Sequence, residues 1–240
     1  MAEFERTKVP STTENKSPGR FEGAYKWEGG GEHSHHAYLW PTVKAMLPRG
    51  RQLRILDAGC GTGFIAAQLA GMGHQVVGID ASPSGIKLAR TTYPGVHFQL
   101  RSVYDNLVAL APLGGWDLIV SLEVIEHLFA PRLFLENMRN HLQPGGVMLL
   151  STPYHGYVKN LVLSLVNGWD RHHTVDWECG HIKFFSVKTL QNMLSEAGFD
   201  LSVSRFSGRL PLLWKSMICL STLRSDRGQM LRENGLSANP

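Results

Sequence analysis

The chain has three cysteines in 240 residues. Cys60, Cys179 and Cys219 form neither a disulfide framework nor a zinc-ligand spacing, which fits a reducing cytoplasm. No apolar run is long enough to span a bilayer, and no hydrophobic stretch at the N-terminus marks a secretory signal. Repeats and low-complexity runs are absent, and charged residues make up only 18%. Also missing is a basic face interleaved with aromatics, so no nucleic-acid partner is expected. The net charge of +4 comes from the C-terminal end, where Arg205, Arg209, Lys215, Arg224, Arg227 and Arg232 outnumber Asp226 and Glu233. The composition, 43% hydrophobic, suits one domain with a sizeable core.

Within that composition one stretch stands out, Arg54-Ile55-Leu56-Asp57-Ala58-Gly59-Cys60-Gly61-Thr62-Gly63. An apolar run meets an acid, and glycines then fall on alternate positions. The pattern predicts a buried strand ending in a tight turn that opens a helix at about Thr62. Such a turn needs glycine where the backbone takes positive φ or lies against a ligand. The helix end beyond it offers free N–H groups and a positive dipole to an anionic group. The dinucleotide fingerprint G-x-G-x-x-G shares this geometry, so an NAD(P)-binding oxidoreductase is one reading of the turn.

A second apolar segment, Gln75–Ile79, ends in Asp80. An acid on the tip of the next strand can grip a ribose diol. Asp80 or Ser82 can alternatively cap the helix starting at Pro83. Strands are expected at about 53–57, 75–79, 96–100, 116–121 and 146–151, and helices at about 62–72, 83–92, 103–111, 131–141 and 186–197. Alternating βα units imply a parallel sheet covered on both faces, with ligands beyond the carboxyl ends of the strands.

The glycine turn, Asp80, the Leu122-Glu123-Val124-Ile125-Glu126-His127 segment after the fourth strand and the Pro144-Gly145-Gly146 turn together resemble class I S-adenosylmethionine (SAM)-dependent methyltransferases. The resemblance is to the ubiquinone-pathway O-methyltransferase-like, Methyltransferase-23-like group, and covers about residues 53–199. It implies an α/β, Rossmann-like class I methyltransferase fold: a mainly parallel seven-stranded sheet with helices on both faces, closed by an antiparallel pair. It further implies SAM as cofactor, with S-adenosylhomocysteine as product. Asp57, Ala58, Gly59, Cys60, Gly61, Gly63 and Phe64 would hold the methionine moiety, with Cys60 as a small packing side chain. Asp80 and Ala81 would hold the ribose, and Ser102 and Val103 the adenine. Leu122, Glu123 and Val124 would lie beside the cofactor, with Tyr25, Trp27 and His33 as a lid.

Four segments follow: a disordered leader at 1–20, a cofactor lid and helix at 21–52, the methyltransferase domain at 53–225 with a substrate-side insertion at 152–185, and a flexible tail at 226–240. The expected reaction is methyl transfer to a small-molecule acceptor, at a hydroxyl oxygen. His127 and His181 are the candidate catalytic residues, because a histidine near neutral pKa is a natural base. Glu123, Glu126, His127 and His181 form an alternative set for a divalent metal, since i, i+3 and i+4 positions share one face of a helical turn. Other readings are an RNA 2′-O-methyltransferase, an N- or C-methyltransferase and a non-catalytic SAM-binding subunit. The His172-His173 region reads as a polar loop rimming a pocket. The run Tyr157–Val166 reads as a helix with a broad apolar face, able to wall a pocket, pack on the core or form a dimer contact. Leu210–Leu220 is taken as a core-facing strand and helix, although residues 208–224 could also rest weakly on a membrane surface. The chain is expected to be a monomer or homodimer.

Overall fold

A computed structural model describes residues 25–173 and 180–224. The leader, the tail and Cys179 lie outside these residues. Alternation of buried side chains builds two layers on one sheet. In β1 (Arg54–Ala58), Leu56 and Ala58 face one core while Ile55 faces the other. In β4 (Trp116–Leu122), Ile119 joins the first core and Leu118 and Val120 the second.

Seven strands follow the order β3-β2-β1-β4-β5-β7-β6. The remaining strands are β2 (Gln75–Asp80), β3 (His97–Leu100), β5 (Leu142–Pro153), β6 (Phe199–Ser207) and β7 (Ser216–Leu223). All pairs from β3 to β5 are parallel, whereas β7 runs antiparallel to both β5 and β6. The expected fold class is therefore present, including the antiparallel closure. Helices α1 (Ser34–Met46) and α2 (Phe64–Gly71) cover one face through Leu39, Val43, Ile65 and Leu69. Helices α4 (Pro131–His141) and α7 (Val187–Glu196) cover the other through Phe134, Leu135, Met138, Leu190 and Leu194. Fully burying each such side chain stabilises the fold by about 1.5–3 kcal/mol. Helix α3 (Pro83–Thr92) packs on the β2–β3 side, while α5 (Tyr157–Leu165) and α6 (Trp169–His173) lie in the insertion.

Two expected elements differ. No helix forms over 103–111. Asp105 Oδ2 accepts the Ser102 N–H at 2.9 Å and Asn106 Oδ1 accepts the Val108 N–H at 2.9 Å. Asn137 Nδ2 ties down the Val103 and Asp105 carbonyls as well. Short polar side chains here capture the backbone groups a helix would need. Similarly, 210–220 contains strand β7 but no helix; the chain between β6 and β7 turns instead, with Arg209 and Leu212 at φ 60° and 66°. No helix among the described residues is long and apolar enough to cross a membrane.

Candidate active site

The carboxyl ends of β1, β2, β4 and β5 meet at one edge of the sheet, and the chemistry-bearing residues gather there. After β1, Gly59, Gly61 and Gly63 take φ values of 85°, 52° and 84°, a region that L side chains rarely enter. A Cβ on Gly59 would collide with the Val124 side chain, and one on Gly61 would stand 2.8 Å from the Trp27 ring. Asp80 braces this turn from β2: its Oδ2 accepts the Gly61 N–H at 2.9 Å and its Oδ1 the Ser82 N–H at 2.7 Å. The cap of α3 is Ser82, whose Oγ accepts the Gly85 N–H at 3.1 Å. Cys60 is buried in a small cluster with Phe98 and Ile86, and burial pushes its thiol up.

Asp57 is 2% exposed, and its Oδ2 has no hydrogen-bond partner. Burial, then the nearby Asp80, push its carboxyl up to about 7 against a backbone hydrogen bond from Ala66. A buried acceptor without a partner costs about 1–3 kcal/mol. The turn thus has both features that a cofactor ammonium would use: an unsatisfied carboxyl oxygen and glycines admitting close approach.

Residues 25–33 lie across the turn. The Tyr25 carbonyl accepts the Ser82 hydroxyl at 2.5 Å, and the Trp27 N–H donates to Ser84 Oγ at 3.0 Å. His33 Nε2 lies 3.2 Å from Thr62 Oγ1. The rings of Tyr25 and Trp27 pack 4.7 Å apart, and those of Trp27 and His33 4.9 Å apart. Phe64 turns away to stack on His36, 4.5 Å between centroids. Ala81 is exposed and Leu122 half-buried. On the adenine side, the Ser102 hydroxyl accepts the Tyr104 N–H at 3.2 Å, whereas Val103 is 7% exposed and packed in the main core.

Beyond β4, a single 3₁₀ turn (Ile125–His127) follows Val124. Glu123 precedes it at φ 54°, so the expected common face of Glu123, Glu126 and His127 does not form. Glu123 instead reaches toward β5 and β7: Oε1 accepts Ser151 Oγ at 2.7 Å and Oε2 accepts Ser216 Oγ at 3.1 Å. Glu126 is wholly buried. Thr152 donates to its Oε2, and its Oε1 has no hydrogen-bond partner. Burial raises both carboxyls, and Glu123 raises Glu126 further. The insertion returns to this turn, because the N–H groups of Ile182 and Lys183 donate to the Glu126 carbonyl at 2.9 and 3.0 Å. Ligand-type atoms of Glu126, His127 and His181 lie within 4.8 Å of one another, and Glu123 is not among them. Desolvation, then His127, His173, His172 and Lys159, lower His181 to about 4, so its ring is neutral at pH 7 and a weaker base than the near-neutral histidine expected from the sequence.

Next to these residues opens a cavity of about 200 Å³. Glu123 and His181 are on its wall with His155, His172 and His173, and so are six residues that the sequence did not single out: Tyr38, Pro153, Lys159, Arg209, Lys215 and Ser216. Of these, Arg209 and Lys215 passed for part of a basic tail. Only Lys159 left a signal, a lone cation inside an apolar helical run. His172 and His173 sit on α6 and do face a pocket.

A family of proteins described as having a methyltransferase domain matches residues 32–202. The ubiquinone biosynthesis O-methyltransferase of Cereibacter sphaeroides is 32% identical over 156 residues, 62% of this chain and 60% of that protein. The chain thus aligns with only about 60% of the length of such curated relatives. An S-adenosylmethionine-dependent methyltransferase from Mesorhizobium loti has the same fold, with a TM-score of 0.60 at 20% identity over 76% of this chain and 96% of that one. Magnesium protoporphyrin IX methyltransferase from Synechocystis PCC 6803, crystallised with S-adenosylhomocysteine, gives 0.56 at 19% identity over 78% and 80%.

Proposed function

The chain belongs to the methyltransferase-domain family, and on that premise we propose that it moves a methyl group from S-adenosylmethionine to a hydroxyl oxygen of a small-molecule acceptor. One observation carries this reading. The Val124 side chain lies against Gly59 of the glycine turn, while its neighbour Glu123 lines the cavity. Acceptor space therefore opens one residue away from the cofactor turn. The relatives named for ubiquinone biosynthesis support oxygen as the acceptor atom.

When bound, the cofactor supplies an electrophilic methyl group on a sulfonium that departs as a neutral thioether. Asp57 takes the ammonium on its unpartnered oxygen, and the backbone from Ala58 to Phe64 supports the methionine chain. Asp80 and Ala81 take the ribose, and Ser102 and Val103 the adenine. Leu122, Glu123 and Val124 flank the cofactor on the β4 side. Tyr25, Trp27 and His33 cover it and exclude water. His127 and His181 position the acceptor hydroxyl, and one of them takes its proton as the O–C bond forms, His127 rather than His181, whose basicity burial lowers. The protein works in the cytoplasm, with a weak membrane contact through 208–224 supported by exposed Leu210 and Leu212.

Calorimetry with S-adenosylhomocysteine and with NADH is the first test. Binding of the adenosyl ligand alone is expected, and tight NADH binding without it would reject the reading. Labelled cofactor screened against phenols, quinols, sugars and RNA then separates enzyme from non-catalytic subunit and small molecule from nucleic acid.

A second reading draws on Glu126 Oε1, which accepts no hydrogen bond and lies 3.9 Å from His127 Nε2, with His181 alongside. Those three groups suit a divalent ion that would lower the acceptor's pKa. Metal analysis of protein purified without chelator, together with activity in EDTA, decides it; full activity and no metal would remove it.

A further inference from the structure

Helix α5 is built inside out. Its apolar residues face solvent, with Tyr157 81% and Leu165 76% exposed, while Lys159 is 5% exposed and is the residue the helix buries. An amphipathic surface helix normally does the reverse, and buried lysines are rare unless paired. Lys159 Nζ donates to the Tyr154 carbonyl at 2.8 Å, which leaves two N–H donors for something else.

Two more cations reach the same cavity from the β6–β7 connection. Arg209 arrives through a left-handed backbone, and Lys215 stands over the Tyr38 ring, 4.8 Å from its centroid. Among the described residues, none of these three cations forms an ion pair with a carboxylate. Among the described residues Glu123 is the one acid on the cavity wall, and both its oxygens already accept serine hydroxyls. The surrounding histidines stay neutral: burial first, then Lys159, lowers His155 and His172 to about 4. Among the described residues, three cations therefore share a small cavity with one carboxylate, Glu123, which acts on Lys159 through space without pairing with it; the excess positive charge is a costly arrangement unless an anion completes it.

We propose that this cavity binds an oxyanion, a carboxylate or a phosphate ester, carried by the methyl acceptor, with Lys159 and Arg209 as its two cationic contacts. The word acceptor rests on the methyltransferase reading above; the anion site stands on the cavity alone. At about 200 Å³ the space admits a single substituted ring. The anion seats on Lys159 and Arg209, and the acceptor's hydroxyl points past Glu123 toward the glycine turn.

The test uses benzoate, phenyl phosphate and neutral benzyl alcohol, titrated calorimetrically into the full chain with and without S-adenosylhomocysteine. Benzoate or phenyl phosphate should bind at least about tenfold more tightly than benzyl alcohol, and weaken as salt rises. The stronger of the two anions names the oxyanion. Arg209→Gln, at an exposed position, and Lys159→Met should each weaken that anion by about ten- to a hundredfold. Lys159→Arg should restore most of it. Equal binding of all three probes, binding of none, or an Arg209→Gln affinity equal to wild type would overturn the proposal. If S-adenosylhomocysteine fails to bind while the anion preference holds, the methyltransferase reading falls and the anion site stands. If it binds and the preference is absent, only the anion site falls.

Discussion

The imidazole of His127 meets that of His181 edge to face, their centroids 4.8 Å apart and their planes at 68°. The contact joins the turn after β4 to the returning end of the insertion. His127 Nδ1 lies 3.2 Å from the Gly180 carbonyl, which adds a further tie. Replacing His181 with alanine is expected to lower kcat by about 10²- to 10⁴-fold. The dissociation constant for S-adenosylhomocysteine should be unchanged. Steady-state kinetics and calorimetry on one preparation check both; equal loss of cofactor binding would move His181 out of the catalytic role.

Trp27 against Gly61 gives the second expectation. Gly61→Ala introduces a Cβ 2.8 Å from the indole at φ 52°. Left-handed strain alone costs about 1 kcal/mol, and the ring must also shift. A lower Tm together with weakened cofactor binding is expected. Trp27→Ala should instead leave Tm nearly unchanged and weaken cofactor binding about tenfold, the size of one lost ring contact plus solvent entry. Differential scanning fluorimetry with and without S-adenosylhomocysteine separates the two.

The pH dependence of cofactor binding follows from Asp57. Burial, then Asp80, push its carboxyl up to about 7. An ammonium ligand favours the ionised form, so binding must expel a proton wherever Asp57 is protonated. Affinity for S-adenosylhomocysteine should therefore rise from about pH 6 to a plateau near about pH 8. Asp57→Asn should bind weakly and lose this slope. A flat wild-type profile would contradict the role given to Asp57.

Asp117 supports the scaffold rather than the chemistry. Its carboxylate accepts the Arg54 backbone N–H at 2.7 Å, the Arg54 and Arg51 guanidiniums at 3.0 Å each and the Gln143 amide at 2.5 Å. Burial pushes the group up, yet Arg54 and Arg51 outweigh it and hold the carboxyl well below the usual range. The unfolded chain then binds the proton first as pH falls. The stabilisation is complete above the ordinary carboxylate range and is lost below it. Asp117→Ala should cost about 2–4 kcal/mol at neutral pH, with the difference from wild type shrinking in acid. Urea unfolding at several pH values measures it.

What the sequence could determine was local. The strand–turn–helix at 54–71, the acid at the end of β2 and the βα alternation each lie within a short stretch, where side-chain periodicity and glycine φ preferences dictate the outcome. Cys60 was legible as a packing residue for the same reason. The 103–111 helix was misread because its apolar spacing is real, while Asn137, distant in sequence, takes the Val103 and Asp105 carbonyls. Glu123 was misread as a helical neighbour of Glu126 because only packing against Ser151 and Ser216 reveals its left-handed backbone. The cavity was invisible for a similar reason. Tyr38 comes from α1, Lys159 from α5, and Arg209 and Lys215 from the β6–β7 connection. Residues from three segments far apart along the chain carry no shared periodicity, and antiparallel closure of the sheet by β7 is what brings the β6–β7 connection to the others. The chain thus specifies its glycine turn by local backbone preference, and its cavity only by long-range packing.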